Sequence, residues 1–142
     1  MEEILHDIKQ GVNVRENLIE IRSRLKEPSE RDGLFRLFAG ERELLAALLS
    51  HEDPKARKNA ALLIGELGIQ ELLADLYQAY EKEETLFVRA DYLKAMEHLD
   101  ISAYIEKLRE QLTKLTAREV TEENRKHYRE EVSRLQRLVL KE

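Results

Sequence analysis

Apolar residues return every three or four positions along most of this chain. The clearest stretch is DPKARKNAALLIGELG, residues 53–68, where Ala56, Ala60, Leu63, Ile64 and Leu67 follow one another at spacings of 4, 3, 1 and 3. That spacing is one face of a helix and not a strand. Its ends are legible too. Asp53 can accept from the free N–H groups of the first turn, Pro54 stands where its missing N–H does no harm, and Gly68 can take the left-handed conformation that stops a helix.

The same periodicity predicts helices over residues 2–10 (Ile4, Leu5 and Ile8 on one face), 13–27, 41–50 and 69–84, the last with Leu72, Leu73, Leu76, Tyr77 and Tyr80 inward. It continues over 86–99, 101–116 (Ile105, Leu108, Leu112, Leu115) and from Thr121 to the end (Tyr128, Val132, Leu135, Val139). Gly11, Pro28 and Gly40 punctuate the first part. Ser29 and Asp32 have capping-box spacing, so residues 29–39 form a short inserted helix with Leu34, Phe35, Leu37 and Phe38. The final helix is still in progress where the sequence stops, which is expected of a piece of something longer and equally of a terminus that ends in a helix.

The helices repeat. With Ala56-Arg57 as origin, Val14-Arg15 and Val88-Arg89 begin equivalent copies and Asn124-Arg125 a fainter one, at separations of 42, 32 and 36 residues. Offset 1 is Arg each time, offset 7 is Ile21, Leu63 and Ala95, and offset 11 is Leu25, Leu67 and Leu99. Periods in this range mean stacked helical hairpins. Asp53-Pro54-Lys55-Ala56-Arg57, Asn59-Ala60-Ala61 and Gly65-Glu66-Leu67-Gly68 resemble the second helix of a HEAT repeat. The resemblance implies an all-α, right-handed α–α superhelix of about four hairpins (approximately 1–27, 41–68, 69–100 and 101–142), a single domain over 1–142 with the insertion at 29–39. The chain also resembles the HEAT-like N-terminal region joined to THUMP-type RNA methyltransferases in some bacteria. No methyltransferase motif stands in these residues.

Composition narrows the choices. Hydrophobic residues at 42% and charged residues at 37% fit a helical protein with solvated outer faces. With no cysteine there are no disulfides, thiolate metal sites or Cys nucleophiles, and a reducing cytoplasm is the default expectation. The N-terminus lacks an apolar signal core, and no run approaches the ~20 apolar residues of a membrane span. A formal net charge of −5 argues against general nucleic-acid binding.

Candidate chemistry is sparse. The recurring Arg15, Arg57 and Arg89 form either a row of anion-binding cations or an inter-repeat ladder. The ladder is preferred, because guanidinium suits bidentate, partly buried pairs. The HEAT resemblance implies an Asp at the helix start bonded to an Arg of a neighbouring repeat; Asp53 and Arg57 match both halves, whereas Arg15 and Arg89 have only Asn13 and Thr85 near the acidic place. His51, Glu52 and Asp53 are adjacent and cannot all reach one ion, so no metal is expected. His6, His98 and His127 are isolated and suggest no catalysis. Gly65 and Gly68 form no phosphate loop. Glu81, Glu83 and Glu84 oppose the dipole of the helix they end and are expected to be solvated. Arg125, Lys126, Arg129, Arg134, Arg137 and Lys141 alternate with Glu122, Glu123, Glu130 and Glu131, as in a salt-laced outer helix with a Glu130–Arg134 pair.

In a solenoid of this kind the second helix of each hairpin lines the concave side. Offsets 2, 6 and 9 point away from the core: Glu16, Glu20 and Ser23; Lys58, Leu62 and Gly65, with Ala61 beside them; Ala90, Lys94 and Glu97. The middle strip is apolar and flanked by charge. Either a partner docks there or Phe35 or Phe38 of the insertion covers Leu62. The candidate binding residues are Lys58, Ala61, Leu62, Gly65, Lys94 and Glu97. The resulting expectation is a non-catalytic scaffold without cofactor, membrane or small-molecule substrate, binding a protein partner or positioning a fused domain. The second resemblance implies a place beside an RNA-modifying domain, with RNA contacted indirectly. The rival is a nucleic-acid-binding HEAT-like protein of the alkylated-DNA glycosylase type, which needs a basic groove and aromatic side chains for a displaced base.

Overall fold

A computed structural model describes residues 1–118 and 121–140. Among them every regular element is helical: α1 (Glu2–Lys9), α2 (Val14–Leu25), α3 (Pro28–Ala39), α4 (Arg42–Leu48), α5 (Pro54–Leu67), α6 (Leu73–Lys82), α7 (Leu86–Met96), α8 (Ile105–Thr116) and α9 (Arg125–Leu140). A 3-10 turn leads into each of α6 and α8. The fold is an all-α solenoid.

The ends of α5 show how local chemistry sets these limits. Asp53 Oδ1 accepts from the Lys55 N–H at 2.9 Å, and Pro54 is the first helical residue. At the other end Gly68 has φ +66°, its N–H donates to Gly65 O at 2.9 Å, and the Ile69 N–H donates to Ile64 O at 3.2 Å. These two bonds are a Schellman closure, which satisfies carbonyls the helix would leave open. Asn13 and Thr85, residue types favoured at N-caps, do not cap the helices they precede. Asn13 takes a left-handed conformation instead. Pro28 stops α2 and also opens α3, so the inserted helix starts one residue before Ser29.

The stack has an inner row and an outer row. In the inner row α2 packs on α5, α5 on α7 and α7 on α9, so the segments beginning at Val14, Ala56 and Val88 lie side by side. Outside them α1 packs on α2, α4 on α5, α6 on α7 and α8 on α9. The core lies between the rows, where Leu18, Ile21, Leu45, Leu63, Leu76, Leu93 and Leu108 are fully buried. The α3 insertion packs on α2, burying Leu34 and Phe38.

The closest approach is between α5 and α7. A Cβ built on Gly65 would stand 2.7 Å from both Cα and O of Ala95. Ala61 and Ala95 are buried beside this crossing, and their small size lets the two backbones meet. Of the recurring leucines at offset 11, Leu25 and Leu67 are buried. Leu99 is only half-buried, because α7 ends at Met96 and carries it into the following turn.

Leu67→Ala should cost about 2–5 kcal/mol in urea denaturation, whereas Leu140→Ala, 78% exposed at the end of α9, should change stability by less than about 0.5 kcal/mol. Gly65→Ala should destabilise by at least about 1–3 kcal/mol, because the obstructing atoms are backbone and cannot rotate away.

Candidate functional site

The inner helices are tied to one another by arginine rungs. Between α2 and α5, Arg22 donates from Nε and Nη2 to the two Glu66 oxygens at 2.8 and 3.1 Å, and from Nη1 to Asn59 Oδ1 at 2.7 Å. From α5 to the end of α6, Arg57 donates to both Glu83 oxygens at 2.8 and 2.9 Å and to His51 O at 2.8 Å. From α7 to α9, Arg89 Nε donates to Glu131 Oε2 at 3.0 Å, while Nη1 donates to Tyr80 O at 2.8 Å and Glu83 O at 3.0 Å. A return rung runs from Arg134 on α9 to Glu97, the residue that follows α7, at 3.0 Å.

Arg57 and Arg89 do equivalent work. Each binds a carbonyl of the turn before its own helix and a carboxylate from the hairpin that follows. In the Arg57–Glu83 pair two parallel N–H···O bonds fix orientation as well as distance, whereas Arg89 reaches both Glu131 oxygens from Nε alone. Arg15 makes no such rung; it reaches only its neighbour Glu16, at 3.4 Å on the surface. Asp53 does not supply the acid that the HEAT resemblance implies for Arg57, because its carboxylate caps its own helix. The acids are Glu83 and Glu131, both expected from sequence to be solvated.

Among the described residues Glu131 is the most deeply buried charged one, 1% exposed. Besides Arg89 it accepts from the Tyr80 hydroxyl at 2.6 Å, and the Arg89 guanidinium lies 4.3 Å from the Tyr80 ring centre. Burial pushes the Tyr80 hydroxyl far above its ordinary pKa, so it stays a donor. A signal for Glu131 does exist in the sequence. It stands at offset 7 of the fourth copy, where the other copies place Ile21, Leu63 and Ala95, and a charge on that core position requires a partner. Glu83 carries no comparable mark. Its neighbours Glu81 and Glu84 are exposed, and only the fold turns the middle acid inward.

The expected concave strip differs from the structure at its centre. Ala61, Leu62 and Gly65 are buried by the protein itself, Leu62 to 5% exposure. Of the two aromatic residues on the insertion, which packs on α2, Phe38 is buried and Phe35 stays partly exposed. Helix α5 lies between α2 and α7. Leu62 sits on the helical stripe between Asn59 and Glu66, the two residues that hold Arg22. The strip's flanks remain reachable. Lys58 is half-exposed, its Nζ 3.8 Å from Asp91 Oδ2 and 5.9 Å from the Phe87 ring centre. Lys94 is exposed, and Glu97 is half-buried under Arg134.

The remaining candidates scatter. His51 Nδ1 accepts from the Asp53 N–H at 3.0 Å, closing the turn before α5. Among the described residues no group of His, Asp and Glu has the arrangement of a metal site. On α9, Glu130 lies 3.6 Å from Arg134, while Arg125, Lys126, Arg129 and Arg137 face solvent. Lys141 lies outside the described residues. No described helix is long and apolar enough to cross a membrane. A cavity of about 390 Å³ opens between α4 and α6, but Arg57 and Glu83 in its wall are already bonded to each other.

Comparison with known proteins gives one family. Residues 41–124 match the family model described as HEAT repeats, which is more than half of the chain. No curated protein and no solved structure matches it.

Removing one partner of a buried ion pair leaves an uncompensated charge. Glu131→Ala should therefore cost about 3–5 kcal/mol, against less than about 1 kcal/mol for Glu130→Ala next door, a difference that thermal melts will resolve. Burial pushes the Glu83 carboxyl up, but the bonds from Arg57, the Thr85 N–H and the Tyr92 hydroxyl outweigh this and hold it below its ordinary 4.5. A depressed folded-state pKa means that Glu83 stabilises the fold above about pH 4.5 and that this contribution disappears as the pH falls through the folded-state value. Glu83→Gln should flatten the fall in unfolding free energy between about pH 5 and pH 3, measured by urea titration at each pH.

Proposed function

The chain belongs to the HEAT-repeat family, and on that premise we propose that it binds a protein segment along the inner face of α2, α5, α7 and α9. The coarse role is that of a helical-repeat interaction module. What supports the finer reading is the rung system. It holds the inner helices at fixed spacing while Lys58 and Lys94 stay accessible at the surface beside the part-buried Glu97–Arg134 pair. A surface that is already rigid loses little conformational freedom on binding.

We assign the module no catalysis. A role beside an RNA-modifying domain and the excision of alkylated bases gain no support from the described residues. The inner cations Arg22, Lys58 and Arg134 each face an acid rather than forming a basic groove.

Peptides selected from a displayed random library against the whole chain should perturb the amide resonances of α5 and α7 around Lys58, Lys94 and Glu97. Perturbations confined to α4 and α6 in the outer row, or a library that yields no binder, would overturn the proposal.

A further inference from the structure

Where α3 meets the C-terminal ends of α2 and α5, a pocket of about 270 Å³ opens. Leu25 and Phe35 give it an apolar wall. Phe35 is 36% exposed although Leu34 and Phe38 of the same helix are buried. The pocket's charge is lopsided: Arg22, Lys26 and Arg31 line it against one carboxylate, Glu66, with His98 at its edge. Glu66 is already committed, because both its oxygens accept from Arg22. Lys26 and Arg31 have no carboxylate partner among the described residues. Arg31 Nε donates to Leu25 O at 3.3 Å, which draws the guanidinium over the pocket and leaves its two terminal nitrogens for a ligand. Helix electrostatics do not account for Arg31, which stands at the start of α3, where the dipole favours anions.

We infer that this pocket binds a partner segment in which Asp or Glu stands beside a bulky apolar residue. The carboxylate lies between Lys26 and Arg31, and the apolar side chain covers Phe35 and Leu25. Two uncompensated cations beside an apolar wall, in a chain of net charge −5, select an anion with an apolar neighbour. The volume is below the roughly 300 Å³ at which small-molecule sites begin, so it takes one or two side chains rather than a cofactor. A nucleotide offers similar chemistry, a phosphate with a base on Phe35. However, Glu16, Glu20, Glu30 and Asp32 on α2 and α3 oppose a continuing run of phosphates. The inference rests on the interaction-module reading, since Arg22 and Glu66 are the rung that joins the first two inner helices.

Fluorescence anisotropy tests it with three probes: short labelled peptides carrying Leu or Phe between Asp or Glu, the same peptides with Asn and Gln, and a labelled oligouridylate. The acidic peptides should bind, and the amide versions should bind at least about tenfold more weakly. Lys26→Glu with Arg31→Glu should abolish binding, and Phe35→Ala should weaken it about tenfold. Lys114→Glu on α8 should leave it unchanged. Lys26→Gln with Arg31→Gln serves as the milder pair if melting shows that the charge reversal disturbs the fold. No binding by the acidic peptides, equal binding of acidic and amide peptides, no loss on substitution at Lys26 and Arg31, or tighter binding of the RNA would each overturn the pocket. Peptides that perturb Lys58 and Lys94 but ignore Lys26 and Arg31 would remove the pocket and keep the interaction module. Peptides that need Lys26 and Arg31 but leave the centre of the inner face undisturbed would do the reverse.

Discussion

The geometry of the stack depends on how one turn is held. The segment from Tyr80 to Thr85 ends α6, and two arginines grip it from different repeats. Its Glu83 side chain receives Arg57 from the hairpin before, and its Tyr80 and Glu83 carbonyls receive Arg89 from its own hairpin. Glu83 also accepts from the Thr85 N–H and the Tyr92 hydroxyl. The turn therefore couples two rungs. Neither arginine can move without disturbing the anchor of the other. Ion pairs this buried contribute direction more than net stability, since desolvation offsets much of their attraction. Direction is what a row of similar helices needs, because apolar faces alone tolerate sliding.

Much of this was legible in the sequence. The recurrence of Arg and Leu at fixed offsets identifies the inner row, and Asp53, Pro54 and Gly68 delimit its central helix as the structure does. Residue type alone does not make a cap: Asn13 and Thr85 are of the favoured kinds, yet neither side chain bonds the first turn of its helix. The rung acids escaped for a different reason. Glu83 meets Arg57 across 26 residues and Glu131 meets Arg89 across 42. No local pattern ties such partners together, and flanking glutamates disguise them. The sequence leaves the cover over Leu62 open between a partner and the insertion, because a helical wheel gives direction without the distance to the neighbouring helices.

The insertion marks where the chain departs from its own repeat. The first hairpin already differs from the others in that Arg15 makes no rung. With α3, an aromatic side chain and an extra arginine come to the C-terminal ends of two inner helices. Repeats keep the frame, and the irregular element supplies the individuality.

The contact of Gly65 with Ala95 has a mechanical side. Backbone against backbone leaves no side chain that could yield, so no change of rotamer can relax the crossing of the second and third hairpins. A larger residue at position 65 could be admitted only by moving one helix away from the other, and that would also stretch the Arg57–Glu83 rung which joins the same two hairpins.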